Sequence, residues 1–278
     1  MNHNCSKLGR RIASLRKEKG YTQEKISALL NVTPQAISKW EQGNALPDTL
    51  LLLPLARVFG VSIDYLLSGE SPTGKAGPYD GEYRREEFYW GIQPSELAEQ
   101  IVDNLQGDIG NRRLLDIGSG EGRDAVYFAK YGFQVDALEI SAPGAEKIKQ
   151  YSQLSGYAVR VLQADMIGYD LSEEYDVIYS HGSLQFLPLK ERRKHFDKYK
   201  KQTKAGGLNA HLIFNEKPFI KVAPDWERDE FFYQSGDLAR YYHDWEILRC
   251  EEKIVDCNSA GVPHRHAVNC IIARKIEA

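Results

Sequence analysis

The chain has 278 residues, 42% of them hydrophobic and 27% charged, and carries a formal net charge of −3. This length is enough for two domains with real cores, and no apolar window is long enough for a membrane-spanning helix. Residues 1–70 hold nine Lys/Arg against six Asp/Glu, and residues 71–278 hold twenty-seven against thirty-three, so only the front of the chain is expected to meet a polyanion.

The start, MNHNCSKLGRR, has no apolar run behind its charges, which argues against a signal peptide. Four cysteines (Cys5, Cys250, Cys257, Cys270) are too few for a disulfide framework in a chain this long. A reduced, cytoplasmic setting is expected. From Lys7 to Lys19, Leu8, Ile12 and Leu15 recur at helical spacing until Gly20 ends the pattern. Thr22 can cap a second helix in TQEKISALL, and Thr33 a third, with Pro34 at its first position. Asp48–Phe59 and Ser62–Leu67 complete five short helices, a helix-turn-helix layout over residues 7–68. Trp40 is expected to pack rather than read bases. Leu50–Leu53 is expected to be core, or else a dimer face.

The run TQEKISALLNVTPQAISKWEQGNALPDTLLLLPLARVFGVSIDYLL closely resembles the phage-repressor-like helix-turn-helix regulators. The resemblance implies that the third helix enters the major groove of double-stranded operator DNA. By position, Thr33, Pro34, Gln35, Ser38 and Lys39 would face the duplex, and Gln23 would hold a phosphate. The side-chain chemistry agrees, since Gln35 can read an adenine edge with two hydrogen bonds and Lys39 can reach guanine or phosphate. Such regulators usually pair to match two half-sites, so a homodimer is expected.

Residues 69–84 are rich in Gly, Pro and Ser and read as a linker. The segment from 85 to 278 reads as a second domain. Phe88, Tyr89 and Trp90 precede a helix signalled by Pro94–Ser95, and serve either as packing or as a lid. Strands are expected at Arg113–Ile117, Phe133–Ile140, Val159–Ala164, Tyr175–Ser180, Leu208–Asn215, Trp245–Val255 and His266–Arg274. Helices are expected at Asp124–Tyr131, Ala142–Leu154 and Leu189–Thr203, with a tight turn at Asn258–Gly261 between the last two strands. This is an α/β, Rossmann-like domain with a mostly parallel seven-stranded sheet and a reversed edge strand.

Its ligand site is expected at the carboxyl ends of the first strands, where strand order reverses. Four pieces fall there: Asp116-Ile-Gly118-Ser119-Gly120-Glu-Gly122 with Arg123 after it, Glu139-Ile140, Asp165-Met166, and the loop opening at Ser180-His181. A glycine turn lets a ligand lie on bare backbone. Glu139 can accept two neighbouring hydroxyls, Asp165 can accept from an amino group, and Met166 can pack on a ring. The G-x-G-x-G spacing differs from the dinucleotide fingerprint, and a G-K-[ST] is absent. The four pieces together resemble the class I S-adenosylmethionine-dependent methyltransferases, as does Lys204-Ala-Gly-Gly207 before the fifth strand.

LLDIGSGEGRDAVYFAKYGFQVDALEIS, with SGDLARYYHDWEILRCEEKIVD and HAVNCIIARK, further resembles the tellurite-resistance methyltransferase group. That resemblance implies S-adenosylmethionine as methyl donor, a small soft acceptor (tellurite, selenite or a thiol), and a catalytic His and Arg in the last hairpin. His264, Arg265 and His266 stand there in shifted register. Arg265 would hold the acceptor, and His181 or His264 would act as base. The alternative is a regulator whose second domain senses the methyl donor or a metabolite without turnover. Cys250, Cys257, His264, His266 and Cys270 match no zinc spacing, so no metal site is expected. DNA is not the expected acceptor, because neither an Asp/Asn-Pro-Pro-aromatic nor a Pro-Cys motif follows the fourth strand.

Overall fold

The computed structural model describes residues 3–59, 61, 63–68, 77–105, 109–221, 223, 230–258 and 262–276. They fall into two compact units, divided between Pro78 and Tyr79.

The first unit is helical: α1 (His3–Glu18), α2 (Gln23–Leu30), α3 (Pro34–Glu41), α4 (Thr49–Phe59) and α5 (Ile63–Ser68). Ser62, expected to open the fifth helix, lies outside the described residues. The Thr22 hydroxyl accepts from Lys25 N at 3.1 Å and the Thr33 hydroxyl from Ala36 N at 3.2 Å, so both expected caps form. Ile12, Ile26, Ile37, Trp40, Leu55 and Phe59 meet in one core. Gly9 allows this packing, because a Cβ there would lie 2.2 Å from the Trp40 carbonyl oxygen. A polar clamp reinforces it: Arg16 donates to both Glu41 oxygens (2.5 and 3.0 Å), and Gln23 Nε2 donates to Glu41 Oε2 at 2.8 Å. Arg16 holds the Glu41 carboxyl below its ordinary range although burial pushes it up. Leu51 and Leu52 pack on the core, but Leu50 is 85% exposed and Leu53 also faces solvent. Leu50 and Leu53 are therefore surface residues, so the core reading of this run holds for Leu51 and Leu52 alone.

The second unit contains α6 (Asp80–Tyr83), α7 (Glu96–Asn104), β1 (Arg113–Ile117), α8 (Arg123–Lys130), β2 (Gln134–Glu139), α9 (Ala142–Ser155), β3 (Val159–Gln163) and β4 (Tyr175–His181). Then follow α10 (Leu189–Lys201), β5 (Thr203–Asn215), α11 (Asp237–Tyr241), β6 (Glu246–Cys257) and β7 (His264–Arg274). The sheet order is β3-β2-β1-β4-β5-β7-β6. β1 to β5 run parallel, and β7 is antiparallel to both its neighbours, so the reversed strand lies one place in from the edge. Of the expected tight turn, residues 259–261 lie outside the described residues.

Two differences have local causes. Thr203 opens β5 rather than closing a helix, because it pairs with Tyr175 and its hydroxyl bonds to Asn209 at 2.7 Å, while Lys204–Gly207 form an irregular stretch inside β5 where the register with β4 shifts and Gly206 has a φ of 71°. The linker reading of 69–84 runs too far: 69–76 lie outside the described residues, and Tyr79–Arg84 belong to the second unit, where Tyr83 is buried. Their Gly- and Pro-rich surroundings hide two aromatic residues that pack.

Alternation along the strands assigns the two faces. Leu114, Val177, Tyr179, Ala210 and Cys270 face α7 and α8, while Leu115, Ile178, Ile213 and Ile271 face α10 and α11. No helix among the described residues is long and apolar enough to cross a membrane.

Candidate functional site

The strand order reverses between β1 and β4, which opens a crevice at their carboxyl ends. β1 ends there in Asp116-Ile117, followed by Gly118 (φ 70°), Gly120 (φ 58°) and Gly122 (φ 89°), all in the left-handed region that favours glycine. The turn is tied to β2, since the Gly118 and Ser119 amides both donate to Leu138 O. Any side chain at Gly118 would collide with Ser183 Cβ, 2.3 Å away, so the loop after β4 rests directly on this glycine. Arg123 opens α8 beside the turn, and Ile140 leads into Ser141, which caps α9.

Four buried carboxylates lie in or around the turn: Asp116, Glu121, Asp124 and Glu139. Glu139, 5% exposed, accepts from Gly120 N (2.7 Å) and Ser141 N (2.8 Å), one bond to each oxygen. Burial still pushes its pKa up to about 7. Asp116 is raised well above the ordinary range, first by burial and then by the charges of Asp124 and Glu139. Burial pushes Asp124 the same way, but Arg123, His181 and hydrogen bonds from Tyr179 (2.7 Å) and Ser95 N (2.7 Å) hold it low. Burial therefore opposes ionisation of Asp116 and Glu139, while Asp124 stays ionised beside Arg123.

An aromatic layer covers the turn. Tyr83 is buried with its hydroxyl 2.9 Å from where a Gly120 Cβ would stand, and Trp90 Nε1 donates to that hydroxyl at 3.1 Å. Tyr79 packs edge-on against Trp90 and Phe186. The layer is pinned by a buried ion pair that the sequence reading missed. Lys147 Nζ meets Glu121 Oε1 at 2.6 Å and donates to Glu87 O at 2.5 Å, while Trp90 N donates to Glu121 Oε2 at 3.2 Å. The available signal was a charged residue inside a glycine turn, whose partner twenty-six positions away no local pattern announces. Phe88 packs edge-on against Tyr151 of α9, and Trp90 packs against Tyr79 and Tyr83.

The other expected site residues divide. Asp165 accepts from Ile167 N at 2.9 Å and so caps its own turn, and Met166 packs against the α10 side of the sheet. His181 ends β4 on the same face as Tyr179 and Asp116, and burial brings its pKa down to about 4, so it is neutral at pH 7. Ser180 is a correction: it is fully buried on the opposite face and hydrogen-bonded to His211 Nδ1 at 2.8 Å, because strand alternation turns it away from Tyr179 and His181. Arg265 is a second correction. It is exposed and lies on the face opposite His264 and His266, so it does not join them.

His264 and His266 do come together, with Nε2 atoms 2.9 Å apart, and the ring of Phe214 lies against His266 with centroids 4.9 Å apart. Phe214 also approaches Gly182, the residue after His181. Cys257 joins them: its sulfur and one nitrogen of each histidine lie within 4.8 Å of one another. Hairpin register rather than sequence spacing brings these three together, without Cys250 or Cys270.

In the first unit, α3 leaves Thr33, Gln35 and Lys39 exposed, with Pro34 and Ser38 half-buried, while Trp40 faces the core. Thr33 is engaged as the cap of α3, the Ser38 hydroxyl accepts from Gln42, and Gln23 is engaged with Glu41.

Two family models match the chain: helix-turn-helix over residues 12–66, and tellurite resistance protein TehB over residues 93–262. The second match covers more than half of the chain. The chain belongs to the TehB family. The "Probable S-adenosyl-L-methionine-dependent methyltransferase TehB" of Haemophilus influenzae is 22% identical over 176 residues, 63% of this chain and 60% of that protein. The sarcosine/dimethylglycine N-methyltransferase of Aphanothece halophytica is 31% identical over 150 residues, 48% of this chain and 53% of that protein. At the front, the "SPbeta prophage-derived uncharacterized HTH-type transcriptional regulator YonR" of Bacillus subtilis is 41% identical over 62 residues, 22% of this chain and 57% of that protein. The chain thus spans about half of the length of the curated relatives it matches. The crystal structure of TehB from Haemophilus influenzae superposes with a TM-score of 0.59 at 18% identity, covering 71% of this chain and 65% of that one. The TehB-like unit has the fold of the S-adenosylmethionine-dependent methyltransferases, here joined to a helix-turn-helix domain of the regulator type.

Proposed function

We propose that this chain is a DNA-binding regulator whose second unit transfers a methyl group from S-adenosylmethionine to a small, soft acceptor such as a tellurium or selenium oxyanion or a thiol. The supporting observation is the cluster Asp116, Asp124 and Glu139 around a glycine turn. Two of these carboxylates have raised pKa values, so the site gains from a cationic ligand. S-adenosylmethionine carries a sulfonium and an ammonium, and the residues present fit it. Each Glu139 oxygen keeps a lone pair for a ribose hydroxyl. Backbone at Gly118–Gly122 accepts the methionine part, Asp165 and Met166 serve the adenine, and Tyr83 with Trp90 excludes water. When bound, the donor supplies an electrophilic methyl carbon.

The protein's task is alignment and dehydration rather than strong acid–base chemistry. A thiolate or oxyanion needs no base, and a protonated acceptor can lose its proton to neutral His181. In the first unit, Gln35 and Lys39 face operator DNA, Thr33, Pro34 and Ser38 flank them, and Gln23 reaches a phosphate. Exposed Leu50 and Leu53 serve as a dimer face.

The test is turnover with methyl-labelled donor on tellurite, selenite and small thiols, alongside calorimetric binding of S-adenosylhomocysteine. Labelled product from one of these acceptors is expected. Binding without turnover on any of them would overturn the acceptor reading. An S-adenosylhomocysteine affinity that changes when operator DNA is added would favour a sensor.

A further inference from the structure

We infer that Cys257, His264 and His266 form a binding site for a zinc-class divalent cation, with one coordination position left open to an external soft anion. The β6–β7 register creates the site. Cys257 lies directly opposite His264, so the two side chains share a face, and His266 is the next residue on that face. The three donor atoms lie within 4.8 Å of one another. A thiol with two imidazoles is the ligand set of zinc and its neighbours rather than of magnesium or calcium.

The histidine geometry points the same way. His264 Nδ1 lies 2.6 Å from the Val262 carbonyl oxygen, which can only accept, so Nδ1 carries the proton and Nε2 presents its lone pair. This outer hydrogen bond is the arrangement that orients metal-bound histidines. Without an ion the two Nε2 atoms, 2.9 Å apart, share a hydrogen bond in which His266 Nε2 donates to the His264 lone pair, and a bound cation would replace that proton. At ordinary zinc–nitrogen distances that separation subtends about 90° at a shared ion, within reach of a distorted tetrahedron. Cys257 and His264 are half-buried and His266 is buried, so the donors are partly shielded from water.

Three protein donors leave a tetrahedral ion one position, as in sites that bind an exchangeable ligand. The trio stands at the start of β7, which antiparallel pairing sets at the carboxyl edge of the sheet, on the face that carries His181. A thiol entering the open position would be bound as thiolate, with its proton released to solvent. That this ligand is the methyl acceptor rests on the function proposed above; metal binding does not.

The test uses Co²⁺ as the probe on the full chain, kept reduced near neutral pH. A thiolate-to-cobalt charge-transfer band in the near ultraviolet and tetrahedral d–d bands in the visible are expected. Zn²⁺ should abolish both by displacement. Cys257→Ser should remove the charge-transfer band and Cys250→Ser keep it, with folding checked by circular dichroism, and His264→Asn should weaken binding at least about tenfold. A small thiol should shift the d–d bands. No charge-transfer band in the unaltered chain, or one that survives Cys257→Ser, overturns the site, and d–d bands indifferent to thiol overturn the open position. Intact cobalt spectra in a protein that methylates no thiol would refute only the acceptor role.

Discussion

Replacing Glu139 by Gln isolates the energetic cost of charge at the glycine turn. Burial holds the Glu139 pKa near 7 in the fold, against an ordinary value of 4.5. Between those values the folded chain binds more protons than the unfolded one, so stability falls as pH rises through the window. The full difference is about 3 kcal/mol, taking 1.36 kcal/mol for each unit. Glu139→Gln carries a constant cost, because its amide NH2 must face one of two backbone N–H donors, Gly120 or Ser141. It carries no slope from this position. Urea unfolding from pH 4.5 to 8 checks this in the ligand-free chain, using the transition that S-adenosylhomocysteine moves. The unaltered protein should lose about 3 kcal/mol more across the range than the variant. Ligand binding should show the opposite trend, tightening as Glu139 ionises toward pH 8, since ribose hydroxyls donate best to a carboxylate. Parallel stability profiles for the two proteins would refute the raised Glu139 pKa.

Other residues give separate readings. Lys147→Met leaves Glu121 buried beside an apolar chain and should cost the second unit about 3 kcal/mol, and the same change should weaken S-adenosylhomocysteine binding by loosening the aromatic cover; calorimetry and unfolding measure both. Arg16→Met should cost a similar amount, about 3 kcal/mol, but only in the transition of the helical unit, as followed by Trp40 fluorescence. Gln35→Ala should cost about 1–3 kcal/mol on operator DNA and relax base preference, whereas Lys39→Ala should weaken binding evenly across sequences and reduce its salt dependence, measured by anisotropy titration. For a protonated acceptor, His181 with a pKa near 4 sets an acid limb of activity at about that pH, which His181→Asn should abolish; an unchanged pH–rate profile would remove it as base.

The sequence exposed what is periodic or local. Helix caps at Thr22 and Thr33 and the strand ends at Asp116 and Glu139 could be read because each depends on a few adjacent residues. Ser180 went astray because a strand end presents neighbours to opposite faces, and the choice of face depends on where the helices pack. Arg265 failed for the same reason, being adjacent to His264 in sequence but across the sheet from it. The Cys257–His264–His266 trio and the Lys147–Glu121 pair depend on register and on tertiary approach, which spacing does not encode. Tyr83 was hidden by the glycines and proline around it.

The cover over the glycine turn also has a history along the chain. Its residues, Tyr79 to Trp90, precede everything that holds them: Glu121, Lys147 and Phe186 all come later. During synthesis this segment leaves the ribosome before the rest of its unit, yet it lacks Glu121 and Lys147 until α9 has been made. Its aromatic side chains must wait, exposed, through the making of about sixty further residues, a long loop to close at an entropic cost that only the finished crevice offsets. The segment that covers the glycine turn is thus made early and seated late, and a seated Tyr83 reports that β1, β2 and α9 are in place.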